Sequence, residues 1–413
     1  LSFYARGGYY DNKTRRPYEA YDYNILHETF NYGIGAQYMI NKGNYITADC
    51  YADHFSSSYC FFKDNKTYNG KAGEEQVRKR TRNHNLSIKG IFKLGNRHKL
   101  SVGTEYIVDV LKSQTDNIAK EDAYTLALFA QDEIKLLRNL QALIGVRYIY
   151  HENFKNHATP NVALMYKPGK FNFRASYAAG FRTPTLSELY ATDIAKKNDR
   201  LTIGNLDLKP EKNNYFSLSA EYVHERFSVS VNAFYNNIRD MIDYNTIATG
   251  DKAMEQYGHK EVRQRDNIAE AKVHGINVSA NAYLGAGFNL SGGYTHLNTQ
   301  DVELEQPIDK SIKNAYNINA QWAHSWKIYR LNINLNGRFN SKRFSKSYGY
   351  APEYQLWDLN TRHSFNLKSV IIEPGCGMEN LFDYMDDRPY NSNYATLTPG
   401  RSFYISLSLK FKS

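Results

Sequence analysis

The sequence predicts an all-β protein: an antiparallel transmembrane β-barrel with eighteen readable strands. Three observations carry that prediction. Segments of strand length alternate apolar and polar residues with period two, which puts one class of side chain on each face. The breaks between them alternate short and long along the chain. The third is compositional: Tyr (35) and Phe (21) are abundant and mean hydropathy is -0.63. No apolar run approaches the ~18 residues a spanning helix needs, so a membrane-resident chain of this kind crosses as strands.

The final segment shows the pattern most simply. Phe403, Ile405, Leu407, Leu409 and Phe411 fall on one face, and Ser402, Tyr404, Ser406, Ser408 and Lys410 on the other. In chain order, strands are expected at 1–10, 29–41, 45–55, 83–93, 99–110, 123–136, 140–151, 158–167, 171–180, 213–224, 227–238, 271–284, 288–298, 313–325, 330–340, 353–367, 370–381 and 401–411. Near 99–110, Leu100, Val102, Thr104, Tyr106 and Val108 share a face. In 227–238, Phe227, Val229, Val231, Ala233 and Tyr235 alternate with Ser228, Ser230, Asn232 and Asn236. In 330–340, Leu331, Ile333, Leu335, Gly337 and Phe339 alternate with Asn332, Asn334, Asn336 and Arg338.

Short breaks carry turn chemistry, as in Asn41-Lys-Gly-Asn44, Lys167-Pro-Gly-Lys170 and Leu284-Gly-Ala-Gly287. Long breaks are expected at 11–28, 56–82, 181–212, 239–270, 299–312, 341–352 and 382–400, with 152–157 a short member of that set. A sandwich has no reason to gather its long loops at one end. An outer-membrane barrel has tight periplasmic turns and long extracellular loops, and in lipid its backbone groups must all be paired. The order of breaks then places Leu1 and the C-terminus on the periplasmic side. Tyr148, Tyr150, Tyr177, Tyr222, Tyr235, Trp322, Trp326 and Trp357 are candidates for interfacial aromatic girdles.

Net charge is +10, with Lys63, Lys66, Lys71, Arg78, Lys79, Arg80 and Arg82 crowded into one stretch. Two readings stand there: a solvated loop, or a contact for anionic lipid headgroups or an acidic ligand. The scatter of basic residues elsewhere argues against nucleic acid. Three cysteines fit no metal spacing, and a Cys50–Cys60 bridge is a possibility that proximity alone suggests. No Gly-x-Ser-x-Gly, His-Glu-x-x-His or phosphate-cradling glycine loop is present, so no catalytic residues and no enzymatic activity are expected.

Several segments resemble the barrel portion of TonB-dependent outer-membrane receptors. They are Glu379-Asn-Leu-Phe-Asp-Tyr384, Pro399-Gly-Arg401 with the last strand, and Phe129-Ala-Gln-Asp-Glu133. The others are Phe181-Arg-Thr-Pro184, Glu188-Leu-Tyr190 and Gly204-Asn-Leu-Asp-Leu-Lys-Pro-Glu211, which resemble paired boxes flanking a large extracellular loop, like those of haem and cobalamin receptors. The resemblance gives Phe181, Arg182, Pro184, Asn205, Leu208, Pro210 and Glu211 as family-motif residues, with Leu206 where the family usually has proline. It implies a 22-stranded barrel filled by an N-terminal plug. On that footing residues 1–413 are the C-terminal portion of the barrel, with the plug and the first four strands absent from this chain.

The implied function is an outer-membrane receptor and active importer of a scarce large ligand (haem, cobalamin or a siderophore-type metal chelate), energised through TonB. Implied partners are outer-membrane lipid and lipopolysaccharide, TonB through the missing N-terminal region, and a surface lipoprotein. No intrinsic cofactor and no resident metal are expected; the metal chelate or tetrapyrrole is cargo. Residues 185–203 contain no histidine, which weakens a simple haem assignment, and Tyr190 is a candidate phenolate contact there. In the loop 239–270, Met254, Tyr257 and His259 are further candidate ligand contacts, and His151 and His157 flank a shorter loop. Two alternatives are a passive 18-stranded porin-type diffusion channel and a soluble β-rich binding or scaffold protein.

Overall fold

A computed structural model of the chain describes residues 1–18, 21–66, 68–195, 199–345, 349–386 and 400–412. Its strands in order are β1 (Ser2–Tyr18), β2 (Tyr21–Asn41), β3 (Asn44–Phe61), β4 (Glu75–Leu94), β5 (His98–Ser113), β6 (Ile118–Leu137), β7 (Leu140–His151), β8 (Lys155–Tyr166) and β9 (Phe171–Arg182). A short helix α1 (Leu186–Tyr190) and strands β10 (Thr192–Ala195) and β11 (Arg200–Ile203) follow. Next come β12 (Glu211–Val223), β13 (Phe227–Thr249), helix α2 (Gly250–Tyr257), β14 (Glu261–Gly285), β15 (Phe288–Asp301), β16 (Asn314–Trp326) and β17 (Tyr329–Asn340). The chain finishes with β18 (Arg343–Ser345), β19 (Gly349–Ala351), β20 (Tyr354–Asn366), β21 (Val370–Glu379) and β22 (Ser402–Phe411). Among the described residues, eighteen strands have ten or more residues, and each overlaps one of the eighteen expected segments.

Two compact units share these strands. The first comprises Leu1–Ala163, Ala178–Asn214 and Ile238–Ala269. In it β1 to β7 pair antiparallel in chain order, from Ser2↔Gln37 to Leu137↔Leu140. The second comprises Leu164–Tyr177, Tyr215–Asn237 and Glu270–Ser413. There β14, β15, β16, β17, β20, β21 and β22 pair antiparallel in order.

The faces follow the alternation read from sequence. Along β8, Val162, Leu164 and Tyr166 are exposed while His157, Thr159 and Asn161 are half-buried. Along β13, Phe227, Val229, Val231 and Tyr235 are exposed and Ser230 bonds Ser279 at 2.8 Å on the other face. Asn319 donates to Asn334 (2.6 Å) and Asn336 (2.5 Å), so polar side chains in the second unit satisfy one another. In β22, Ile405 is 88% exposed and Phe411 81%. A water-soluble sheet would bury such a face, whereas lipid is the solvent that suits it. Buried hydrophobic side chains are few and concentrate where strands end. Phe61, for example, is covered by Tyr23, Tyr59 and Tyr68 with ring centroids 5.9, 6.3 and 6.4 Å away.

The expected girdle residues take the exposed, apolar faces. Trp322 packs on Phe288 (6.0 Å), His324 (6.0 Å) and Trp326 (6.2 Å), and Trp326 stacks on Tyr329 (5.6 Å). Tyr222 packs with Phe171 and Phe227, and Tyr177 with Phe216. Tyr148, beside Asn156, and Tyr235 are exposed, and Trp357 lies over Gly337.

Loop lengths need correction. The break expected at 11–28 is mostly strand, because β1 and β2 stay paired to Tyr18↔Tyr21. The break at 56–82 shrinks to 62–74, and 239–270 to 250–260 around α2. The β5–β6 connection, 114–117, is a tight turn. Polar composition marked these stretches as loop, but a hairpin rising beyond an apolar band still pairs its backbone and can carry polar residues on both faces. The expected 341–352 loop contains the β18–β19 ribbon. Pro399 and most of the 382–400 connection lie outside the described residues. Cys50 and Cys60 are free and both lie in β3. At ~3.3 Å per residue they are roughly 33 Å apart, well beyond disulfide reach.

Candidate functional site

The paired boxes meet in the first unit. Strand β9 ends at Arg182, Pro184 is buried, and Thr185 caps α1. The cap is reciprocal: Glu188 N–H donates to Thr185 Oγ1 (3.2 Å), and Thr185 N–H donates to Glu188 Oε2 (2.8 Å). This cap aims the Glu188 carboxylate back at the end of β9. Glu211 opens β12 and faces the same point.

Arg182 joins them. Its Nε and Nη2 donate to Glu211 at 2.9 and 2.6 Å, and its Nη1 and Nη2 donate to Glu188 at 2.9 and 3.2 Å. One planar guanidinium thus serves two carboxylates, a geometry a lysine does not offer. The hydrogen bonds to Glu211 and Glu188 raise the Arg182 pKa, so it stays charged. For Glu188, burial pushes the pKa up, but Arg182 and the Thr185 N–H outweigh it and leave the group below its ordinary range. Glu211 also accepts from Ile242 N–H at 2.8 Å, tying in β13.

A small core backs this lock: Leu189, Leu208 and Ile242 are buried together, with Phe154 and Tyr190 packed on them. Box two returns over α1 through Gly204 N–H to Ala191 O (2.7 Å) and Asn205 N–H to Glu188 O (3.0 Å). A Cβ on Gly204 would meet Leu189 O at 2.5 Å, so the close approach requires glycine. Asn205 Oδ1 accepts from Asp207 N–H (2.9 Å), turning the chain at Leu206, which is exposed. Phe181 stacks on His157 at 4.6 Å, and Pro210 is buried. All seven expected motif residues therefore lie in or beside one structural lock.

The second loop docks on the first. Strand β11 pairs with β10 antiparallel and with the start of β14 in parallel, Arg200↔Glu261 to Ile203↔Gln264. Ala248, Ala253 and Val262 form a buried cluster with Leu201 and Ile203, which seats α2. On that helix Met254 and Tyr257 are exposed. His259 is not exposed with them. Its Nδ1 lies 2.8 Å from Asp199 Oδ1, and this hydrogen bond holds the Asp199 pKa down. Tyr190 is packed on the small core; burial, then Glu121 and Glu152, push its phenol pKa up, which opposes a phenolate role. His151 Nδ1 accepts from Asn153 N–H at 3.1 Å.

Sequence reasoning missed Asn267. Its Oδ1 accepts from Lys209 N–H (2.7 Å), and its Nδ2 donates to Lys209 O (2.9 Å) and Asp240 O (2.6 Å), clipping box two to the β13–β14 hairpin. It also missed Asp116, whose carbonyl accepts from Thr192 N–H (2.7 Å) and whose carboxylate accepts from Ser187 Oγ (3.2 Å). An asparagine or aspartate in a polar stretch carries no local signal of a long-range clip. Among the described residues, no group of three or more His, Cys, Asp or Glu is placed to hold a metal, and no helix is long and apolar enough to cross a membrane.

The fold is similar to those of several solved structures. A mutant of the ferric enterobactin receptor PfeA from Pseudomonas aeruginosa is 18% identical over 94% of this chain and 62% of its own, with a TM-score of 0.76. The siderophore receptor PirA from Acinetobacter baumannii is 16% identical over 94% and 63%, with a TM-score of 0.72. BauA, the ferric preacinetobactin receptor from Acinetobacter baumannii, is 15% identical over 94% and 63%, with a TM-score of 0.66. The chain thus spans less than two thirds of the length of these neighbours. At such identities the likeness establishes fold. Residues 1–380 match the family model for the TonB dependent receptor-like β-barrel, and the chain belongs to that family of transport receptors.

Proposed function

We propose that the protein is an outer-membrane receptor that actively imports a scarce metal chelate, energised through TonB by an N-terminal region outside this chain. The observation that carries the reading is the two-faced strand set of a family-matched barrel chain. One face is large and apolar yet exposed, and the other is lined by hydrogen-bonded Ser and Asn. Such strands suit a wall between lipid and a wet lumen. The ligand class we favour is a ferric siderophore, ahead of haem or cobalamin. The fold neighbours are receptors described for ferric enterobactin, a siderophore and ferric preacinetobactin, whereas the tetrapyrrole reading rested on the boxes, which here act as a structural lock.

Within this reading, the Arg182 lock and the α2 platform hold extracellular loops, and exposed Met254 and Tyr257 are the first ligand contacts. Tyr190, packed on the Leu189 core, and His259, hydrogen-bonded to Asp199, support these loops. Outer-leaflet lipopolysaccharide and a surface lipoprotein are the expected neighbours in the membrane. The test is uptake of iron-labelled siderophores by cells carrying the full-length gene, with and without TonB. Uptake that needs both the protein and TonB supports active import. Ligand-independent leakage of small solutes, unaffected by TonB, would support the diffusion channel.

A further inference from the structure

The basic stretch at 63–82 divides in the structure. Lys63, Lys66 and Lys71 belong to the β3–β4 loop, Arg78 lies over the Tyr59 and Tyr68 rings (5.4 and 5.3 Å), and Lys79 is 3.8 Å from Asp116. Arg80 and Arg82 differ. They fall on the same face of β4 as exposed Leu86 and Ile88, the apolar face.

The cross-strand rows on that face change character step by step. Cys50, Leu86 and Tyr106 form one row, and Ala52, His84 and Val108 the next. Above them come His54, Arg82 and Val110, then Ser56, Arg80 and Lys112. Tyr32, Tyr106 and Tyr124 occupy the neighbouring positions, so aromatic side chains give way directly to cations. Exposed Leu94, at the turn end of β4, marks the other limit of the apolar band. From Leu94 to Arg82 is roughly 40 Å along the strand, or about 30 Å along the membrane normal at a ~40° tilt, just past a ~25 Å apolar band. That is headgroup height.

Among the described residues, Arg80, Arg82 and Lys112 make no ion pair or side-chain hydrogen bond. His54 Nε2 is buried without a hydrogen-bond partner and borders the same recess as Arg80 and Arg82. Nearby carboxylates are already engaged. Glu28, which also borders the recess, accepts from Tyr9 (2.9 Å) and Ser56 (3.4 Å), and Asp122 pairs with Lys120 at 3.1 Å. Unneutralised guanidinium groups beside lipid suit phosphate, which takes their paired N–H groups in bidentate fashion.

We propose that Arg80, Arg82 and Lys112, with His54 at the edge, bind the phosphorylated headgroup of an outer-leaflet glycolipid on the lipid-facing side of β3 to β5. The proposal rests on the outer-membrane reading above, and charge and height select its occupant. The test uses full-length protein, delipidated and titrated in nanodiscs with bisphosphorylated lipid A, dephosphorylated lipid A, phosphatidylglycerol or inorganic phosphate, and read by native mass spectrometry. The Arg80→Glu/Arg82→Glu double variant should bind lipid A at least tenfold more weakly. Lys89→Glu, on the opposite face, should match the parent, and Arg80→Lys/Arg82→Lys should fall between. Heat-modifiable gel migration shows whether the double variant is folded, and the lysine pair tests the site even where the glutamate pair does not fold. Equal binding of dephosphorylated lipid A, or unchanged binding by folded charge variants, overturns the proposal. Phosphatidylglycerol binding as tightly would make the site one for any anionic lipid, and displacement by inorganic phosphate at equal concentration a free-anion site; either overturns the glycolipid assignment. Wild-type protein found outside the outer membrane on fractionation would instead sink the membrane reading itself.

Discussion

Arg182 ties the two boxes together through hydrogen bonds to both Glu188 and Glu211. Both partner carboxylates are largely shielded from water (13% and 15% exposed side chains), while the guanidinium is 43% exposed. Arg182→Ala should therefore cost about 2–3 kcal/mol of local stability, below the 3–5 kcal/mol of a fully buried pair because water screens the cation. Hydrogen exchange of peptides spanning 183–211 should rise while β22 stays protected. Arg182→Lys should recover little, since one ammonium does not reproduce the two forks. The same lock has a defined acid limit. Because the folded-state pKa of Glu188 lies below its ordinary value, its contribution is fully present above the unfolded pKa of about 4.3 and is lost as pH falls through the lower folded value. Protection of this segment, after correction for the intrinsic pH dependence of amide exchange, should be flat from pH ~8 to ~5 and should fall only below about pH 4; a fall near pH 6 would point to a histidine instead. The boxes were legible in the sequence as a motif but not as a mechanism. Nothing in Phe181-Arg-Thr-Pro184 tells that its arginine reaches a glutamate 29 positions on, and Asn267 was invisible because its partners are backbone groups far away in sequence.

Strands were the most legible level. The eighteen long strands coincide with alternating segments because lipid and lumen demand opposite side chains at successive positions, which prints period two directly into the sequence. Strand ends were less legible for the same reason. Beyond the apolar band both faces meet water, the alternation fades, and paired residues such as Lys13 and Leu26, or Ser57 and Lys79, read as loop. The inward–outward register can be tested on β22. Leu407 lies 67% exposed on the apolar face, so Leu407→Arg should cost about 2–4 kcal/mol in lipid refolding if it sits near the bilayer midplane. Ser406→Arg, one position away on the polar face, should cost much less. Equal costs would show that the faces are misassigned. A glycine test belongs at this scale too: Gly204→Ala should loosen the return of box two over α1, seen as proteolytic nicking between 192 and 210, because the added methyl meets a backbone carbonyl that has nowhere to move.

At the scale of the molecule, wall, lock and platform divide the work. Long strands present apolar residues to one solvent and Ser and Asn to the other, the Arg182 lock fixes the returning box loop, and β11 joins that loop to the hairpin carrying α2. In the receptor proposed above, loops held in this way would capture a large ligand. The ligand itself was not legible from sequence. The contacts proposed for it are exposed loop side chains, Met254 and Tyr257, whose residue types have no fixed chemical meaning outside their geometry. The most direct measurement is identification of what co-purifies with the full-length protein from native outer membrane of iron-starved cells, by visible absorption and mass spectrometry together. An iron chelate, with the absorption of a ferric siderophore and a matching mass, is the predicted result. A colourless protein that conducts ions steadily in planar bilayers would contradict active import and establish an open channel.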